Sequence, residues 1–231
     1  MGWWSGHARR VDVKALFAPA RCLSCRAPGP VVCRACDAAL VRLVGPRCGR
    51  CGRPTLRDAD TCRECAGRRL AFASARGAVT LAGPAHALVR AWKDRGMRSA
   101  ADVAAALVVD VVEAPPALAV LVPVPALRAR AAWRGGDGAA SLAGALGDAW
   151  QLELAGPLRR EGARPQRGLD RDERRRNARA QFRSVSAVSG HVVLVDDVYT
   201  TGATADVCAR LLRRAGAARV DVVTFARVVR R

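Results

Sequence analysis

The chain has 231 residues, room for one ordinary α/β domain plus a small module, and with 51% hydrophobic residues it can bury a real core, so wholesale disorder is excluded. Its formal net charge of +19, from 39 basic against 20 acidic residues, favours nucleic acid, an anionic membrane or phosphorylated ligands, although only Lys14 and Lys93 are lysine and a GC-rich coding bias also raises arginine counts. No stretch approaches the roughly 18–20 consecutive apolar residues of a membrane span, and the start, Met1-Gly2-Trp3-Trp4, lacks a signal-peptide core, which predicts a cytoplasmic protein.

Eight of the nine cysteines form four Cys-x-x-Cys pairs: Cys22/Cys25, Cys33/Cys36, Cys48/Cys51 and Cys62/Cys65, with seven, eleven and ten residues between successive pairs. In a reducing compartment this usage points to metal rather than disulfides. Two residues between cysteines let both thiolates reach one ion, and two such knuckles complete a tetrahedral zinc site, so eight ligands imply two structural Zn2+ ions. Joining the first two pairs and the last two is the simplest assignment; a cross-braced pairing satisfies the same spacing. With four thiolates per ion no coordination position is left for water, so the expected role is structural or partner-binding. About 45 residues with few large apolar side chains cannot build a core alone, and metal binding is expected to supply most of this module's folding free energy. Composition changes near residue 70, which divides the chain into an N-terminal helix and double zinc ribbon at residues 1–69 and a second domain at residues 70–231.

The second domain alternates strand-like and helix-like runs. Ala75–Leu81 reads as a strand, Pro84–Lys93 and Ser99–Glu113 as helices, and Ala119–Val124 as a short apolar strand ending in Pro123-Val124-Pro125. A helix at Ala139–Trp150 is followed by an arginine-rich stretch, Arg159–Arg183, whose length is that of a functional lid or a disordered segment. The strand His191–Val195, the helix Ala203–Ala215 and a last strand, Val220–Val228, complete the series. Such alternation is the pattern of a parallel sheet covered by helices on both faces.

The most informative segment runs Val192-Val193-Leu194-Val195-Asp196-Asp197-Val198-Tyr199-Thr200-Thr201-Gly202-Ala203-Thr204. Four apolar residues predict a buried central strand, with two carboxylates where it leaves the sheet, the usual ligand edge of an open α/β fold. Thr200 to Thr204 then turn into a helix, so backbone N–H groups and three hydroxyls converge at a helix amino terminus, a phosphate cradle in which Gly202 allows close backbone approach. Adjacent carboxylates would repel that phosphate, so they are better explained as acceptors for vicinal ribose hydroxyls a few ångströms away. Cys208, alone on the following helix, reads as a buried small apolar residue, and His7, His86 and His191 have no partner spacing that suggests catalysis.

This segment resembles the phosphoribosyl pyrophosphate signature of type I phosphoribosyltransferases, and the two modules together resemble the ComF family of competence-associated phosphoribosyltransferase-like proteins over nearly the whole chain. The resemblance implies a type I phosphoribosyltransferase-like parallel sheet flanked by helices behind a cysteine-rich zinc module. It implies that Asp196 and Asp197 bind the ribose hydroxyls, and that Thr200, Thr201, Gly202, Ala203 and Thr204 hold the 5′-phosphate. Val122-Pro123-Val124-Pro125 followed by Arg134-Gly135 is similar to the family's segment on the pyrophosphate side. Gln166, Arg174 and Asn177 fall on the family's pattern in the mobile loop, and Lys93 sits where the family has a lysine shortly before a glycine, here Gly96. Where the family commonly has an aromatic residue and an asparagine after Arg-Gly, this chain has Gly136 and Asp137, an acid that reverses hydrogen-bond donation near the expected pyrophosphate.

The reaction so implied is displacement of pyrophosphate from C1 of the ribose, with Mg2+ and basic groups such as Lys93, Arg134 and Arg174 neutralising the leaving group. A rival from another class is a non-catalytic adaptor in DNA uptake, contacting single-stranded DNA or a helicase partner. Against a dedicated single-strand groove stands the 4% aromatic content, with Trp3, Trp4, Trp92, Trp133 and Trp150 scattered. A third reading is a regulator that binds a nucleotide without turnover.

Overall fold

A computed structural model of the chain describes residues 20–126, 137–161 and 181–229. The expected N-terminal helix and the candidate residues Arg134, Gln166, Arg174 and Asn177 lie outside them. The elements run α1 (Arg34–Ala38), β1 (Ala75–Thr80), α2 (Pro84–Arg95), α3 (Arg98–Val111), β2 (Val120–Pro123), α4 (Gly138–Trp150), β3 (Leu158–Arg160), β4 (Phe182–Ser184), β5 (His191–Tyr199), α5 (Ala203–Arg214) and β6 (Arg219–Arg227).

Four of the strands pair in the order β1-β6-β5-β2, all parallel. The two central strands are the two most continuous apolar runs, as burial on both faces requires. Side chains alternate across them: Val193 and Val195 pack with α2, α3 and α4 on one face, whereas Val192 and Leu194 pack with α5 on the other. Helix α2 starts on Pro84, whose fixed φ suits a first turn, and stops at Gly96, which takes a left-handed conformation with φ 61°. The short strands β3 and β4 pair antiparallel at the two ends of the arginine-rich stretch, with Leu158 and Phe182 buried in the α5-side core. Three-residue strands so rich in arginine carry too little apolar period to be read from sequence.

The cysteine-rich segment packs directly on this sheet. Residues 41–43 run antiparallel to the outer edge of β1, the Leu43 N–H donating to Ala78 and the Thr80 N–H to Val41, both at 2.8 Å, which covers an otherwise open strand edge. Cys48, Cys51 and Cys65 share a buried cluster with Phe72, Tyr199, Cys208 and Leu212. The buried Cys208 therefore behaves as a small apolar residue, as its sequence context suggests.

Candidate functional site

The site is built where two neighbouring strand pairings end at different heights. Pairing of β5 with β2 stops at Val195 opposite Pro123, but β5 stays paired with β6 as far as Tyr199 opposite Arg227. The strand thus runs four residues beyond the Val195 end read from sequence, because the equally long β6 holds it in place. Asp196 and Asp197 do not leave the sheet there; they sit in a notch, paired on one side and open on the other.

Strand alternation then sends the two carboxylates to opposite faces. Asp197, with Val193 and Val195, lies on the α2 side, where its Oδ2 is 2.5 Å from Lys93 Nζ in the last turn of α2. Asp196, with Val192 and Leu194, lies on the α5 side and is register partner of the buried Thr224. Its Oδ1 accepts the Asp197 backbone N–H at 2.8 Å. Burial, and then the Asp197 carboxylate, push the Asp196 carboxyl up to about 8, against the opposing pull of that N–H and of Lys93.

Beyond Tyr199 the chain turns sharply. Gly202, at φ 75°, is buried against the Tyr199 ring, and a Cβ there would run into the phenol oxygen. The Asp206 N–H donates to the Gly202 carbonyl at 2.8 Å and opens α5, while Thr200, Thr201, Ala203 and Thr204 stay exposed around the turn. Together with Asp196 and Thr224, this turn encloses a recess of about 20 Å³. Lys93, Asp196, Asp197 and residues 200–204, dispersed in sequence, are thereby brought to one end of the sheet.

The acid at Asp137 plays a different part from the one its sequence context suggests. It is the N-cap of α4: Oδ1 accepts from the N–H groups of Ala139 and Ala140, at 3.1 and 3.4 Å, and Oδ2 from Ala126 at 2.9 Å. Two backbone donors at the helix amino terminus and a third just after β2 engage this carboxylate, and aspartate and asparagine cap equally well. The residue joins the end of β2 to α4.

The cysteines gather as two groups of four, Cys22, Cys25, Cys33 and Cys36, then Cys48, Cys51, Cys62 and Cys65, each with all sulfurs within 4.8 Å of one another. This is the sequential pairing, not the cross-braced one. Tetrahedral zinc with Zn–S of about 2.3 Å places sulfurs about 3.8 Å apart, and the Cys25–Cys33 and Cys51–Cys62 Sγ distances are both 3.6 Å. At the first thiol of each group, burial raises Cys22 and Cys48, but backbone N–H groups at the knuckles outweigh it and bring them down to about 6 and about 7, whereas burial pushes Cys36 and Cys65 up. The two tetracysteine sites fit two structural zinc ions.

Several contributors have no sequence signal of their own. Arg227, 2% exposed, reaches from the end of β6 to the Cys51 carbonyl and sulfur and to Glu64, with its guanidinium 4.6 Å from the Tyr199 ring centroid. Arg68 donates to the Thr201 carbonyl at 3.0 Å. The second cysteine group and the turn at 200–204 thus share a wall. An arginine closing the apolar run Val222-Val223-Thr224-Phe225-Ala226 is the one hint the sequence carries.

Residues 13–66 match the family described as a double zinc ribbon domain. The chain is 31% identical over 230 residues to the DNA utilization protein YhgH of Salmonella typhimurium, an alignment spanning 93% of this chain and the whole of that protein. It is 29% identical over 228 residues to the protein of the same name from Escherichia coli O157:H7, with 93% and 100% covered.

Proposed function

Because the chain belongs to the ComF family, we propose that it binds phosphoribosyl pyrophosphate, or a related ribose 5-phosphate ligand, at the end of β5, and transfers the phosphoribosyl group in a process of DNA utilization. The observation that carries this reading is the juxtaposition of the Asp196-Asp197 notch with the Gly202 turn at the start of α5. Backbone N–H groups and the Thr200, Thr201 and Thr204 hydroxyls would hold the 5′-phosphate, favoured by the positive end of the α5 dipole. The recess has the room of one water molecule, so the phosphate would lie across its mouth, with the ribose hydroxyls donating to Asp196 and Asp197.

Lys93 in this reading has two states. Without ligand it holds Asp197; with ligand its ammonium faces the ribose and the departing pyrophosphate. Arg134 and the loop residues Gln166, Arg174 and Asn177 are proposed to meet the pyrophosphate and cover the site. Magnesium, if bound with the substrate, would further neutralise the leaving group, and Asp196 and Asp197 would be the carboxylates to hold it beside the phosphates. The contribution of the chain is positioning and charge complementarity at C1 of the ribose.

Association with DNA is supported by what the relatives are called and by the +19 charge. The adaptor reading, with contacts to single-stranded DNA or a helicase partner, draws on the same charge and on two metal sites with every position filled by sulfur. Calorimetry with phosphoribosyl pyrophosphate and magnesium separates the two. Saturable binding that disappears in Asp196→Asn/Asp197→Asn is expected, followed by release of pyrophosphate with the correct base or amine. Absence of binding, together with DNA affinity that falls steeply with salt, would favour the adaptor.

A further inference from the structure

At the opposite edge of the sheet, where β5 and β6 begin, lies a cavity of about 570 Å³ that the proposed reaction does not use. That volume is in the range of small-molecule pockets. His191 lines it and Asp196 lies five residues along the same strand, so at about 3.3 Å per residue the cavity is about 16 Å from the ribose site.

Its polar wall holds more positive than negative charge. Asp221 is already engaged, by His191 Nε2 at 2.7 Å and Arg219 Nε at 2.6 Å. Arg47, just before Cys48, and Arg76, on β1, are not matched in that way. Arg47 donates to the Leu43 carbonyl at 3.4 Å, and Arg76 to the carbonyls of Gly49 and Ala75 at 2.9 Å; among the described residues neither forms an ion pair with a carboxylate. Glu113 is in the wall but exposed. The remaining wall is apolar, with Pro115 and the edge of Val112 offering a surface for a flat ring.

We infer that this cavity binds a phosphorylated small molecule of nucleotide size, its phosphate between Arg47 and Arg76 and its ring against Val112 and Pro115. Guanidinium groups lining one cavity are suited to phosphate oxygens. Such a ligand would join the cysteine-rich segment to β1.

The test is calorimetric titration of the zinc-loaded full chain carrying Asp196→Asn/Asp197→Asn, which removes the ribose 5-phosphate site that AMP would also enter, with AMP and, separately, with inorganic phosphate. AMP is expected to bind at least tenfold more tightly than phosphate. Its affinity should fall tenfold or more when Arg47→Gln/Arg76→Gln is added. A second variant, Ala114→Trp, fills the cavity from an exposed turn without touching either arginine and should abolish binding in a protein of unchanged zinc content. AMP binding that survives both cavity variants, or that is no tighter than phosphate binding, would overturn the inference. So would the absence of AMP binding at millimolar concentration.

Discussion

Two residues near the end of β5, Asp196 and Gly202, are held in states that cost the folded protein stability. The carboxyl of Asp196 is raised to about 8 by burial and by Asp197, so the folded chain holds a proton there that the unfolded chain gives up near 3.8. That contribution to stability is fully present below the unfolded value and is lost as pH rises through about 8. Asp196→Asn, which imitates the protonated acid, should therefore raise the melting temperature at pH 8 by about 2–4 °C per kcal/mol relieved and change it little at pH 4. Equal melting temperatures at pH 8, measured by calorimetry, would show that the buried pair carries no such strain. At Gly202 both the positive φ and the Tyr199 ring resist a side chain. Gly202→Ala is expected to cost about 1–3 kcal/mol and to remove phosphate binding; denaturant melts and a phosphate titration would check both halves.

At the scale of elements, what could be read in advance was the periodicity. The apolar runs of β5 and β6 and the long helices α3 and α4 lie within one or a few residues of their expected bounds, because burial on one or two faces dictates their composition. The length of β5 was not legible: Asp196 and Asp197 look like a strand exit, and only the register with β6 carries the strand on to Tyr199. Spacing identified the eight cysteine ligands but not their grouping, which depends on how the knuckles fold back on one another. Nor does sequence reveal that the two groups sit differently. Cys51 is 2% exposed and touches Arg227, whereas Cys25 is exposed. Cys51→Ser should thus cost the more stability, since it removes a buried ligand whose sulfur also accepts from Arg227, although Arg227 keeps Glu64. Cys25→Ser should release one zinc with a smaller loss; comparable melting temperatures for the two variants would refute this distinction.

Across the whole molecule, the second cysteine group, Arg227, Tyr199 and the turn at Gly202 form one continuous set of contacts, extended by Arg68 on Thr201. A zinc ribbon has no vacant coordination position with which to act on a substrate, yet here it buttresses the segment proposed to hold one. Stripping zinc with a chelator is accordingly expected to reduce phosphoribosyl pyrophosphate affinity by tenfold or more along with thermal stability; undiminished affinity in the zinc-free chain would show that the two are independent. The most direct trial of the central claim is a crystal of the zinc-loaded protein soaked with phosphoribosyl pyrophosphate and magnesium. Density for the 5′-phosphate over residues 200–204, with the ribose hydroxyls at Asp196 and Asp197, is the predicted result; a phosphate bound elsewhere, with that turn bare, would contradict it.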